Sequence, residues 1–335
     1  MKKNRILTCC FALVLCIGLL AGCGKSASGD AKTEEVTTDK ISVVCTTFPQ
    51  YDWVKEMIGD EAEKFELTLL LDNGVDLHNY QPTAEDIAKI GSADVFIYVG
   101  GESDQWVDDA LKEATNKDMK VINLLEVMGD KVKEEEVVEG MQAEEEEGEE
   151  GEEEEETEYD EHIWLSLKNA SVLVPAISDV LQTVDTEDAE KIAENCDAYV
   201  QKLSELDKEY EQMVQSATHK TVIFADRFPF RYLVDDYSLD YYAAFVGCSA
   251  ETEASFETVT FLAGKVDECQ VPAILVIENS NQKIAEAVKE NTTGKNQEIL
   301  VMDSLQSVTN DDISDGFNYL KAMQDNLDVL KQALN

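Results

Sequence analysis

Only three imidazoles are available for metal chemistry in 335 residues: His78, His162 and His219. His78 lies in Asp76-Leu77-His78-Asn79-Tyr80-Gln81-Pro82, after the apolar run Leu67-Thr68-Leu69-Leu70-Leu71 and the turn Asp72-Asn73-Gly74. A strand, a glycine turn and an exposed imidazole present a ligand from a rigid sheet. Neutral imidazole is a common metal ligand near neutral pH. Taken alone, one loop histidine is more often a hydrogen-bonding surface or core residue than a ligand. His162 lies in Tyr159-Asp160-Glu161-His162-Ile163-Trp164-Leu165-Ser166. It reads either as a surface histidine among acids or as a ligand whose ring those acids orient. Asp226 and Glu278 end the apolar runs Thr221–Asp226 and Ala273–Glu278, although acids at strand ends are often only helix caps. Together His78, His162, Asp226 and Glu278 are four neutral or anionic donors suited to one divalent cation. His219 precedes its strand and belongs at the opposite end. The chain has no HExxH, nucleophile elbow or clustered triad, which argues against a metallohydrolase and for an expectation of no enzyme activity.

These donors need elements to hold them. Ile41–Thr47, Phe65–Leu71, Ala93–Val99 and Lys120–Leu124 read as strands, rich in β-branched and aromatic residues. Helical stretches separate them: one opened by Phe48-Pro49, one from Thr83 to about Gly91, and one from Trp106 to Ala114. That alternation predicts an α/β fold with a parallel sheet. Ligand loops of such sheets lie beyond the carboxyl ends of the strands, where His78 sits. The alternation recurs in Thr221–Asp226, Leu239–Phe245, Ala273–Glu278 and Glu298–Met302, with a last helix over Gly316–Leu334. Between the two sets, Ala189, Ile192, Ala193, Cys196, Tyr199, Val200, Leu203, Leu206, Tyr210 and Met213 recur at helical spacing. A rod of roughly 45 Å could join two lobes at fixed separation, or be one surface helix of a single domain. Lys168 to Val184 reads as a helix that Pro175 kinks or delays. The organisation expected is a lobe over 41–165, linking helices over 166–217 and a second lobe over 218–335.

Charge and processing set the context. Asp and Glu outnumber Lys and Arg 71 to 27, a net charge of −44. That excludes nucleic acid as a partner; a cationic partner fits, as does acidity used only for solubility. Met1-Lys2-Lys3-Asn4-Arg5 is a basic n-region and Ile6–Leu20 an apolar h-region too short for a comfortable span. Leu20-Ala21-Gly22-Cys23 resembles a bacterial lipobox, so residues 1–22 are expected to be a lipoprotein signal peptide. Cys23 would then be the lipid-carrying N-terminus on a flexible tether over 23–40. Residues 131–161 form a glutamate-rich loop, either a solvated spacer or a weak cation collector. Cys45, Cys196, Cys248 and Cys269 remain in the mature part, widely spaced and without a CxxC pair. They read as small buried hydrophobes with one disulfide possible, and a thiolate zinc site is not expected.

Over residues 41–335 the chain resembles the metal-receptor lipoproteins of bacterial zinc and manganese ABC importers. The resemblance rests on Thr46-Thr47-Phe48-Pro49, His78-Asn79-Tyr80-Gln81-Pro82, Ala93-Asp94 with Gly100-Gly101-Glu102 and Trp106, Asp160-Glu161-His162-Ile163-Trp164-Leu165, and Glu251-Thr252-Glu253-Ala254-Ser255. It implies two similar α/β lobes with parallel sheets, joined by a long rigid helix, with metal in the cleft between them. It also implies delivery to an ABC permease from outside the cytoplasm, at the cell membrane through the lipid on Cys23. Zinc members usually have histidine near Asp226 and manganese members a carboxylate. Two imidazoles and two carboxylates suit manganese, yet the intrinsic affinity order favours zinc. Zinc is the expected cargo, with manganese, or a surface adhesin role, as the alternatives.

Overall fold

The structure, a computed structural model, describes residues 40–142, 158–249 and 253–335. The signal segment, Cys23, nearly all of the tether and the centre of the acidic run at 143–157 lie outside those residues. So does the Ala250-Glu251-Thr252 stretch. Eight strands form two four-stranded sheets. The first contains β1 (Ile41–Cys45), β2 (Phe65–Leu69), β3 (Val95–Tyr98) and β4 (Lys120–Asn123) in the order β2-β1-β3-β4. The second contains β5 (Thr221–Phe228), β6 (Asp240–Val246), β7 (Ala273–Ile277) and β8 (Glu298–Met302) in the matching order β6-β5-β7-β8. Every strand pair is parallel. Parallel sheets are covered on both faces, which is why β7, Ala-Ile-Leu-Val-Ile, is apolar and buried throughout.

The helix Ala189–Ser216 has 28 residues, about 42 Å at 1.5 Å per residue. Its apolar stripe, Ile192, Cys196, Tyr199, Leu203, Leu206, Tyr210 and Met213, is buried. It packs along the helix Leu167–Val184, which includes Pro175 rather than starting after it. It also touches Phe48–Ile58 of the first lobe and Tyr319–Ala333 of the second. One hydrophobic core runs through both lobes and this helix, with Trp53, Trp164, Tyr199, Tyr210 and Tyr319 among its large side chains. Buried hydrogen bonds tie the lobes together. Tyr319 Oη donates to the Trp164 carbonyl (2.6 Å), the Tyr319 amide to Asp52 (2.9 Å), and Trp164 Nε1 to the Ser304 carbonyl (2.9 Å). Burial, partly offset by that Tyr319 amide, pushes Asp52 up to about 6.

Three local features differ from the sequence reading. The last helix starts at Tyr319 rather than Gly316, whose φ of +94° separates it from a short helix at Asn310–Ser314 that the sequence reading did not include. Arg231–Tyr237 forms a two-turn helix directly after β5. The described ends of the acidic run are anchored. Glu134 bridges Tyr159, the Lys133 amide donates to Tyr232 Oη (3.0 Å), and the Gln142 amide donates to the Ala244 carbonyl (3.0 Å).

Candidate metal centre

Two Asp-x-His turns build the centre. After β2 the chain makes a short turn over Leu77–Asn79, with Asp76 Oδ1 accepting the His78 amide at 3.0 Å. Thr83 and Asp86 then cap the following helix reciprocally, fixing the loop's exit. Asp160 Oδ1 likewise accepts the His162 amide at 2.9 Å, just before the turn Ile163–Leu165. Each carboxylate accepts from the amide two residues on, closing a turn that fixes the backbone of the histidine at its end.

The rings meet at Nε2, 3.1 Å apart. The opposite nitrogens are held from behind. His162 Nδ1 lies 3.0 Å from Asp160 Oδ1. His78 Nδ1 lies 2.8 Å from Ser103 Oγ and 3.6 Å from Glu161 Oε2. An ionised carboxylate only accepts, so His162 Nδ1 carries the hydrogen and its Nε2 offers a lone pair. When Ser103 Oγ accepts from His78 Nδ1, the two Nε2 lone pairs face each other, and a shared proton or a metal ion fits between them. Two nitrogens 2.0–2.1 Å from one tetrahedral zinc are about 3.3 Å apart, close to the spacing here. A proton can serve in the metal's place. Burial lowers His162, but Asp160, Asp76 and Glu161 outweigh it and raise its pKa above the usual histidine value. Burial, then the neighbouring His162, pulls His78 down to about 3.

The surroundings are tight and acidic. Glu161 is buried, and its Oε1 accepts the Ser103 amide at 2.9 Å; burial raises its pKa. Gly101, at φ +85°, leaves no room for a side chain, since a Cβ there would stand 2.3 Å from Glu161 Oε1. Gly247 is also tight: a Cβ would stand 2.9 Å from His162 Cε1. Asp104 accepts the Val99 and Gly100 amides, which braces the loop carrying Ser103, and burial pushes it up to about 7.

The carboxylates expected from the second lobe lie elsewhere. Among the described residues, the group of His, Cys, Asp and Glu donors close enough to hold a metal is His78, His162 and Cys248, all within 4.8 Å of one another. Asp226 and Glu278 line a neighbouring cavity of ≈ 290 Å³ with Asp76, Arg227 and Ser280. The physical reasons are local. β5 carries a bulge, its register slipping between Phe224 and Arg227, and a bulge re-aims the side chains beside it. It is Arg227 that reaches toward the first lobe, its Nη2 donating to Asp76 Oδ2 at 2.6 Å and its Nη1 to the Ser249 carbonyl at 3.3 Å. Burial raises Asp76, but Arg227 and His78 outweigh it and keep its pKa below the usual carboxylate value. Glu278 instead caps a turn, accepting from Ser304 N (2.7 Å) and Oγ (2.6 Å). His219 lies two residues before β5, its amide donating to the Leu334 carbonyl.

Cys248 is the residue the sequence reading discounted. All four described cysteines are free thiols. Cys248 follows β6, its amide donating to Glu135 Oε1 at 3.0 Å. Burial and the carboxylates of Glu135, Asp160 and Glu161 raise its pKa well above the usual thiol value. Wide spacing hid it, because nothing in the sequence pairs residue 248 with residues 78 and 162.

Asp160→Asn keeps the turn but weakens the grip on the His162 tautomer. Outer partners of metal ligands typically govern about 10–100-fold in affinity. The variant should therefore bind zinc within that range more weakly, by chelator competition, with the apo melting temperature recorded beside it to show that the variant folds. Parent-like affinity would remove Asp160 from any orienting role.

A sequence profile of the family described as zinc-uptake complex component A, periplasmic (ZnuA), matches residues 43–333. The chain is 31% identical over 318 residues to the zinc-binding lipoprotein AdcA of Streptococcus pneumoniae, covering 95% of this chain and 59% of that protein. It is 30% identical over 325 residues to the high-affinity zinc uptake system protein ZnuA of Bacillus subtilis, covering 97% and 96% of the two chains. Among solved structures it is similar to the Zn(II)-bound ZnuA-like domain of Streptococcus pneumoniae AdcA, at 29% identity and a TM-score of 0.67. That match covers 88% of this chain and 99% of the other. No helix among the described residues is long and apolar enough to cross a membrane. The chain belongs to the ZnuA family of periplasmic zinc-uptake components.

Proposed function

We propose that this chain captures zinc outside the cytoplasm and hands it to an ABC permease, held at the membrane by lipid on Cys23. Zinc is cargo here, bound and then released. The observation that carries this reading is the facing pair of Nε2 atoms, 3.1 Å apart, with both Nδ1 atoms braced from behind. His78 and His162 are the ligands we assign to the metal. Asp226 and Glu278 line the adjoining cavity, where they would draw a cation toward the site. Kinship to proteins named for zinc binding and zinc uptake supports zinc as the cargo over manganese. A role for the acidic run as a cation collector rests on composition, since residues 143–157 are not described.

The test is direct. The purified full chain, stripped of metal, should bind one zinc tightly enough to compete with a high-affinity chelator. Cells lacking it should take up less zinc from zinc-poor medium, and the parent gene should restore uptake. Failure to bind zinc in vitro, or uptake indifferent to the deletion, would sink the proposal.

A further inference from the structure

We propose that Cys248 is the third zinc ligand, as a thiolate, and that it sets the site's preference for zinc over manganese. This rests on the capture reading above and adds a donor to it. Three observations carry it. The Cys248 sulfur lies within 4.8 Å of the donor nitrogens of His78 and His162, and no Asp or Glu among the described residues joins that group. The backbone beneath the sulfur is fixed, because the Cys248 amide is held by Glu135 Oε1 at 3.0 Å. Gly247 lets that backbone pass against His162, where any Cβ would collide with the ring.

The geometry closes with little movement. Zinc binds thiolate at about 2.3 Å and imidazole at about 2.0–2.1 Å, so sulfur and nitrogen on one tetrahedral ion stand about 3.6 Å apart. From within 4.8 Å, a shift of about one ångström suffices. The alternative third donor is also out of position. At the β5 bulge the side chain reaching across is Arg227, which is bonded to Asp76 and the Ser249 carbonyl and cannot ligate a cation. On coordination a Zn–S bond replaces the S–H bond, and the proton passes to solvent. Two imidazoles and a thiolate form a borderline-to-soft donor set. That set suits zinc and disfavours manganese, which prefers carboxylate, carbonyl and water oxygens.

Cobalt(II) is the probe, since a cobalt–thiolate bond gives a near-ultraviolet charge-transfer absorption that imidazole and carboxylate donors lack. The cobalt-loaded full chain should show that band, and Cys248→Ser should lose it. Cys248→Ser should also bind zinc at least about a hundredfold more weakly, exceeding the effect typical of outer partners. Cys248→Asp should narrow the ratio of zinc to manganese affinity. In the parent, zinc should shield Cys248 from maleimide alkylation, mapped by peptide mass. The apo melting temperatures of both variants identify any that fail to fold, and the shielding experiment needs no variant. A parent that binds zinc with no charge-transfer band and with Cys248 still alkylated would overturn the thiolate assignment and leave the capture reading intact. A parent that binds no zinc would overturn both.

Discussion

His162→Ala should bind zinc about a thousandfold more weakly than the parent, with His78→Ala close behind. Apparent binding energies of structural zinc sites run to about 10–16 kcal/mol. One donor of three therefore carries roughly 4 kcal/mol, which is about a factor of 10³ in Kd. The site offers no spare imidazole. His219 lies just before β5, its amide bonded to the Leu334 carbonyl, and His219→Ala should match the parent. His162 is fully buried, so removing it leaves a void beside Trp164 and strands Asp160 without its partner. His162→Gln, which fills more of that space, separates lost ligation from lost packing. The measurement is zinc affinity by chelator competition alongside the apo melting temperature. Should His78→Ala and His162→Ala both hold zinc like the parent, the metal sits elsewhere in the molecule.

Acid should release the metal, and the sign follows from the two histidines. The apo pKa of His162 is raised, so its proton stabilises the apo fold fully below the ordinary value. That contribution fades as pH rises through the raised value. Zinc must displace this proton, so affinity should fall at least about tenfold per pH unit below the raised value. His78 is held down to about 3. It stays free of protons across that range and adds no competition until far more acidic conditions. The effect is readable as thermal stabilisation. Zinc at a thousand times its Kd adds about 4 kcal/mol, and at ten times about 1.4 kcal/mol. A melting-temperature gain of about 8 °C should therefore shrink toward about 3 °C once acid has weakened binding a hundredfold. An equal gain at pH 7.5 and 5.5 would contradict a proton-sharing imidazole pair.

Much of the fold was legible in the residues. Runs such as Ile41-Ser42-Val43-Val44-Cys45 and Ala273-Ile274-Leu275-Val276-Ile277, set between helical stretches, specify parallel strands because their side chains must be buried on both faces. The seven-position apolar stripe from Ile192 to Met213 likewise marked the long helix. His78 and His162 stood out by scarcity, His78 also by its place after a strand. Lobe welding was not legible. The bonds from Tyr319 to Trp164 and Asp52 join residues more than 150 positions apart, and no local pattern records them.

Sequence by itself determined the two sheets, through local periodicity, and singled out the pair of imidazoles by their scarcity, while the class of protein came from the resemblance of its motifs to a family. Only the tertiary structure decided what stands across from those imidazoles. One extra residue in β5 turns Arg227 toward Asp76, Ser304 occupies Glu278, and the end of β6 carries Cys248 to the rings. A bulge and a loop's approach depend on how distant strands settle against one another, which is fixed by packing over the whole core.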